Sequence, residues 1–372
     1  MKSSPVIPPI YMTATFKFKC SDDLIDVVQN RSGYIYSRWD NPSVMEAEKA
    51  MAQLEGYEFA LGFSSGMAAI STSIFAFLES GSRVIYQREI YGGTFELLHD
   101  LIPRLGIETV DINCFDTERF FSEIDKGITI LYLETPTNPL LRIVDLEPLA
   151  EAAHRKGAIV MLDSTFASPI NQRPRDFGID IVLHSATKYL GGHHDLTGGF
   201  VCCEAKHFEK LWHYRKILGG VMDPMTAFLV QRGIQTLELR IQKQNENAMK
   251  ISQFLETQKK IRIVHYPGLK SHPDHEIAKR QMKGFGGMLS FELDADFEKT
   301  KKFMDSLKFI KLATSLGGVT SLANQPITNT HAVLSPEERA KAGISESLVR
   351  LSVGIENVES LILDLKQALD SI

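Results

Sequence analysis

Cysteine is scarce: of 372 residues only Cys20, Cys114, Cys202 and Cys203 carry a thiol, and two of these are adjacent. Adjacent cysteines are badly placed for an unstrained bridge and the spacings form no framework, which excludes a disulfide-stapled scaffold. Free thiols in a reducing cytoplasm are expected. Excess charge of one sign is also missing, since 41 Lys and Arg face 46 Asp and Glu for a formal net charge of −5. A phosphate-backbone binder needs a basic excess or arm, so nucleic acid is not an expected partner. No apolar run approaches the ~20 residues of a membrane span. Residues 1–9 hold Pro5, Pro8 and Pro9 but no apolar stretch, so neither a signal peptide nor an anchor is expected there.

What the chain does have is length and apolar content, 44% of the total. At ~150 residues per domain this suggests two domains, each able to bury its own core. Residues 1–41 read as an extended arm ending in Trp39-Asp40-Asn41. Helical spacing of Val44, Ala47, Met51 and Leu54 stops at Gly56. Short apolar strands are then expected at 58–62, 83–86, 128–133, 159–162 and 179–183, with helices at 67–78 and 146–156. This alternation predicts an α/β domain over 42–239, a mostly parallel central sheet with helices on both faces. Beyond it, a polar helix over 240–258 and strands at 287–293 and 348–353 predict a smaller α+β domain over 240–372. Ser335-Pro336-Glu337-Glu338 reads as a capping box that starts a helix before Arg339.

In open α/β sheets ligands bind beyond the carboxyl ends of the strands. Three successive strands end in polar groups: Glu134-Thr135-Pro136-Thr137-Asn138-Pro139, Asp163-Ser164-Thr165 and His184-Ser185-Ala186-Thr187-Lys188. Lys188 is the candidate nucleophile, because a lysine in low-dielectric surroundings loses its proton readily and can form a Schiff base. Pyridoxal phosphate (PLP) needs a lysine for its aldehyde, a carboxylate for its pyridine nitrogen, and hydroxyls with a helix amino terminus for its phosphate. Lys188, Asp163, Ser185, Thr187 and the helix start at Ser65-Gly66-Met67 supply that set. Arg350 interrupts an apolar strand, where an unpaired guanidinium is costly, and a bidentate carboxylate suits it.

With those residues stand Tyr36-Ser37-Arg38, Tyr91-Gly92-Gly93-Thr94, Lys188-Tyr189-Leu190-Gly191-Gly192-His193, Ser315-Leu316-Gly317-Gly318 and Arg350-Leu351-Ser352-Val353-Gly354. Together they resemble the Cys/Met-metabolism family of PLP-dependent enzymes, which includes cystathionine γ-synthase, cystathionine γ-lyase and methionine γ-lyase. The likeness runs from near residue 8 to residue 356. It implies a PLP-dependent transferase type I-like fold with PLP as cofactor. It also implies catalytic Lys188 and Tyr91, Lys188 holding the cofactor and moving protons, Tyr91 stacking on the ring and serving the leaving group. Asp163 is implied to pair with the ring nitrogen. Gly66, Met67, Ser185 and Thr187 are implied to hold the phosphate, with Tyr36 and Arg38 reaching in from a neighbouring subunit. Asn138, Ser315 and Arg350 are implied to receive the substrate carboxylate. The implied assembly is a homotetramer built from dimers with shared sites.

The implied chemistry is β/γ-elimination or γ-replacement on sulfur-containing amino acids. A cystathionine γ-lyase type fits best, with cystathionine γ-synthase, which joins an O-acylhomoserine to cysteine, and methionine γ-lyase as alternatives. The chain departs from the family at Gly93, where methionine γ-lyases carry Cys. Thr314 stands where cystathionine enzymes often carry Glu, and Trp39-Asp40 replaces a smaller pair. A rival reading takes Gly62-Phe63-Ser64-Ser65-Gly66 as a serine-hydrolase elbow with Ser64 as nucleophile. Only an irregular arm of about 60 residues precedes it, against the several strands that precede such an elbow. His193-His194-Asp195 reads as a loop rather than a metal centre, because adjacent histidines on extended backbone point apart.

Overall fold

The computed structural model describes residues 3–328 and 343–372. The expected capping box at Ser335-Pro336-Glu337-Glu338 lies outside the described residues.

Seven strands form the first sheet: β1 (Phe59–Phe63), β2 (Arg83–Gln87), β3 (Glu108–Ile112), β4 (Ile130–Glu134), β5 (Ile159–Asp163), β6 (Ile181–Ser185) and β7 (Gly199–Cys203). Their spatial order is β1-β7-β6-β5-β4-β2-β3. The five strands from β6 to β3 run parallel, while β7 is antiparallel to both neighbours. Strand β4 is buried at every position, as a strand covered on both faces must be. One face packs Leu131, Leu133, Val160, Leu162 and Val182 under the helices Pro42–Glu55, Thr117–Asp125 and Leu146–Arg155. The other packs Tyr132, Met161, Ile181 and Leu183 under Gly66–Phe77 and Ala205–Leu218. The expected helices lie within three residues of their places, and Pro42–Glu55 stops at Gly56 with φ +78.

The second sheet has the order β10-β11-β12-β9-β8, from β8 (Ile261–His265), β9 (Met288–Leu293), β10 (Lys311–Leu312), β11 (Leu322–Asn324) and β12 (Leu348–Ser352). Its core is continuous with that of the first sheet, because Tyr266, Phe291, Leu351 and Val353 belong to the same buried cluster as Leu162 and Val182. Ser290 on β9 donates its hydroxyl to the Pro139 carbonyl (2.7 Å), which ties the loop after β4 to the second sheet.

The structure differs from expectation in the arm and in several strands, β3 and β7 of the first sheet among them. The arm is not extended throughout: Ser21–Asn30 is helical, with Leu24, Ile25, Val27 and Val28 at helical spacing and Asp22 and Asp23 in the favourable first turn. Strand β7 was not expected; Gly199 weakens its local signal, and full burial between β1 and β6 overrides that.

Candidate functional site

Strands β4, β5 and β6 are neighbours, so their carboxyl ends deliver Glu134, Asp163 and Ser185 to one rim. Glu134 and Asp163 are in register on adjacent strands. Both are buried, and burial is the main force holding each carboxyl above its ordinary range. For Glu134 the charge of Asp163 adds to the rise, and the Tyr91 N–H, donated to Oε2 at 2.8 Å, opposes it. For Asp163 the Thr165 hydrogen bonds, then His184 and Lys188, pull the other way. Asp163 is therefore a buried acid whose partners offset only part of the burial that favours its neutral form.

After β6 the chain turns so that Lys188 points back to this rim. Its Nζ donates to Ser315 Oγ (3.1 Å). Burial first, and the positive Arg350 second, lower the Lys188 pKa, with Asp163 opposing them. Arg350 sits mid-strand on β12, 3% exposed. Its Nη1 donates to Asn138 Oδ1 (3.0 Å) and its Nη2 to the Ser315 carbonyl (3.4 Å), while its Nε is buried with no acceptor among the described residues. Burial pulls the guanidinium down to about 10. Ser315 thus meets the amine through its hydroxyl and the guanidinium through its carbonyl, at a backbone φ of +75.

The helix Gly66–Phe77 begins beside the end of β6. Its cap is Ser65, whose Oγ accepts from Ala68 N at 3.0 Å. Among the described residues the Gly66 and Met67 N–H groups have no acceptor. A side chain at Gly66 would place its Cβ 3.0 Å from that of Ser185, so the helix start and the Ser185 hydroxyl share one corner. Thr187 completes it, its Oγ1 accepting from Gly198 N (3.1 Å) with its own proton left to donate. Free N–H groups, a helix amino terminus and two hydroxyls are the donor set a phosphate requires. Across the corner Tyr91 stands at the N-cap position of the short helix Gly92–Glu96, and its half-exposed ring and the Met67 sulfur both lie close to Gly93. The residues present fit PLP: an anion corner, a buried acid and a lysine.

Ten of the expected site residues, Gly66, Met67, Tyr91, Asn138, Asp163, Ser185, Thr187, Lys188, Ser315 and Arg350, converge here. Tyr36 and Arg38 do not join them in their own chain. Arg38 donates to the Lys216 carbonyl (2.7 Å) and lies 5.5 Å from the Tyr36 ring, which is 41% exposed. Ser64 is exposed in the turn that follows the edge strand β1, whose neighbour is antiparallel, and among the described residues no histidine is bonded to it, so the turn serves as a helix start rather than a nucleophile elbow. His193 and His194 are exposed.

Thr165 was not singled out by the sequence. Its N–H caps Asp163 Oδ1 (2.9 Å) and its Oγ1 takes the Ser185 N–H (2.9 Å), so it links acid and phosphate corner. The signal was the Asp-x-Thr spacing of an Asx turn. Arg240 was missed because its partners, the carbonyls of Tyr189 and Gly233, are backbone atoms.

Comparison with known proteins places this geometry. Cystathionine γ-synthase 1 of Arabidopsis thaliana is 40% identical over 369 residues, 99% of this chain and 66% of the plant protein. The chain thus spans just under two thirds of that relative. Cystathionine γ-lyase of Bacillus subtilis is 41% identical over 372 residues, covering 100% of this chain and 96% of the relative. Among solved structures, cystathionine γ-synthase of Xanthomonas oryzae pv. oryzae, in complex with aminoacrylate and cysteine, superposes with a TM-score of 0.93 at 38% identity, over 99% of this chain and 94% of that one. The family profile described as Cys/Met metabolism PLP-dependent enzyme matches residues 1–370. A chain matched from end to end, and carrying the lysine, acid and anion corner that such an enzyme needs, belongs to the Cys/Met metabolism family of PLP-dependent enzymes.

Proposed function

We propose that the protein breaks or exchanges the bond between Cγ and sulfur in an amino acid, as a cystathionine γ-lyase type. The observation that carries this reading is Ser315, shared by the Lys188 amine and the Arg350 guanidinium. A substrate carboxylate seated on Arg350 brings its own Cα to Lys188. Bound PLP supplies an electron sink that makes the protons on Cα and Cβ removable.

The chain's residues then divide the work. Asn138 holds one face of the guanidinium and leaves Nε free for the carboxylate. Lys188, whose proton burial loosens, is the base that would take a proton from Cα and, in a later step, one from Cβ. Asp163 would hold the ring nitrogen in its protonated form, and the Gly66 and Met67 amides with Ser185 and Thr187 would anchor the phosphate. Tyr91 covers the ring and delivers a proton to the departing sulfur, its backbone fixed by Glu134. Tyr36 and Arg38, turned away from their own site, serve that of a neighbouring subunit, which makes the enzyme a homo-oligomer, a tetramer built from two dimers. Four unpaired cysteines favour the cytoplasm.

The test is a visible spectrum followed by keto-acid release from cystathionine, homocysteine, methionine, cysteine and an O-acylhomoserine with and without cysteine. A yellow protein that releases keto acid from cystathionine is the expected result. Thioether formation only from the ester with cysteine identifies a synthase instead, the reading that the fold match to the Xanthomonas enzyme favours. Lys188→Ala should lose the visible band and at least about a thousandfold in turnover, and normal activity in that variant would defeat the assignment.

A further inference from the structure

The chain has only two tryptophans, and they meet. Trp39 and Trp212 lie edge to face with ring centroids 6.3 Å apart. Trp212 Nε1 donates to both oxygens of Asp40 (2.9 and 3.1 Å). Arg215, 2% exposed, donates to Asp40 Oδ1 (3.1 Å), to the Trp39 carbonyl (2.9 Å) and to Glu48. The Lys216 ammonium stands 4.5 and 4.7 Å from the two indole centres, and its carbonyl accepts from Arg38. The Tyr36 carbonyl accepts from both Trp39 N (2.8 Å) and Asp40 N (3.3 Å), so Tyr36 to Asp40 is one tight turn. The arm is thereby clamped to the helix Ala205–Leu218 directly behind Tyr36 and Arg38.

A buried guanidinium with two carboxylate partners and a backbone carbonyl is costly to assemble and costly to break from one side. Packing alone does not require it. We propose that Asp40, Trp212 and Arg215 are positioning residues: they fix the direction in which Tyr36 and Arg38 leave their own subunit, and so set how firmly the neighbouring site keeps its cofactor phosphate. The inference rests on the reading that Tyr36 and Arg38 serve that neighbouring site.

The experiment measures cofactor release from the assembled holoenzyme, by dilution into an apo-protein trap, for Arg38→Ala, Asp40→Ala, Asp40→Asn and Trp212→Phe. Tryptophan emission and light-scattering mass are recorded alongside. Release should quicken about tenfold in Asp40→Ala, the cost of a lost charge-assisted hydrogen bond, and clearly less in Asp40→Asn, whose amide oxygen still accepts. Trp212→Phe keeps the packing and removes the donor, so it decides the matter should Asp40→Ala not fold; its release should also quicken. Turnover of the Asp40 and Trp212 variants at saturating cofactor should stay within about twofold of the parent, since no reacting atom is touched. Because both indoles lie in the clamp, emission of Asp40→Ala should shift. Faster release in Arg38→Ala alone overturns the clamp and leaves the shared site standing. Unchanged release in Arg38→Ala overturns the shared site and the clamp with it. Dissociation of Trp212→Phe to single chains overturns a directional role in favour of assembly.

Discussion

Lys188 takes its reactivity from what surrounds it. Desolvation and the Arg350 charge both disfavour its ammonium form, and Asp163 favours it. The cofactor aldehyde reacts with the neutral amine, so the rate at which cofactor-free protein takes up PLP should rise with pH at a midpoint below the ordinary lysine value of 10.5. Arg350→Met removes a positive neighbour, stabilises the ammonium and should move that midpoint to higher pH. Asp163→Asn removes a negative neighbour and should move it lower. Stopped-flow absorbance against pH measures both, and equal midpoints in the three proteins would show that burial alone sets the amine. At this scale the sequence was readable where chemistry sits in strand-end side chains, as at Asp163 and Lys188. It was silent where the partner is backbone or lies far along the chain. Ser315 and Lys188 are 127 residues apart, and nothing local announces their hydrogen bond.

Elements bring such distant residues together, and the segment carrying Ser315 shows how. It lies on the Lys188 loop through Val319 N, which donates to the Gly192 carbonyl (2.9 Å), and is braced by Gln244, which donates to the Gly318 carbonyl (2.8 Å). Gly317 makes the approach possible: its φ is +79, and a Cβ there would stand 2.7 Å from the Tyr189 nitrogen. Gly317→Ala should therefore cost about 1–3 kcal/mol of stability. It should also raise KM more than it lowers kcat, because Ser315 is displaced from Arg350 as well as from Lys188. Denaturant titration and substrate kinetics test this, and an unchanged KM would mean that Ser315 does not tune carboxylate binding. Strands β4, β5 and β6 were visible as apolar runs because parallel strands buried on both faces must be apolar throughout. Strand β7 and the clamp at Trp39 were not, since a run opened by a glycine announces no strand and an indole packed on a distant helix has no local period.

The whole molecule leaves its amino-terminal arm without a core of its own. We propose that the chain divides into arm, cofactor domain and second domain near the expected boundaries; residue 240 falls just inside the helix Leu237–Glu256, so the second boundary belongs at its start. The arm helix Ser21–Asn30 has no buried residue, and Leu24, Ile25 and Val28 are 38%, 50% and 49% exposed. Val6 and Met12 stand open as well. Ten residues are too few for a helix to persist on propensity alone, so its apolar side requires a covering surface. Tyr36 and Arg38 point to a second copy as that cover, because their proposed role demands a neighbour at the same end of the molecule. The double variant Ile25→Glu, Val28→Glu places two carboxylates in that contact at no cost to the single chain's core. It should lower the mass measured by light scattering, with the shift growing on dilution, leave the far-ultraviolet spectrum nearly unchanged and speed cofactor release. A mass equal to that of the parent would place the arm outside the subunit contact, and with it the route by which Arg38 reaches a neighbour.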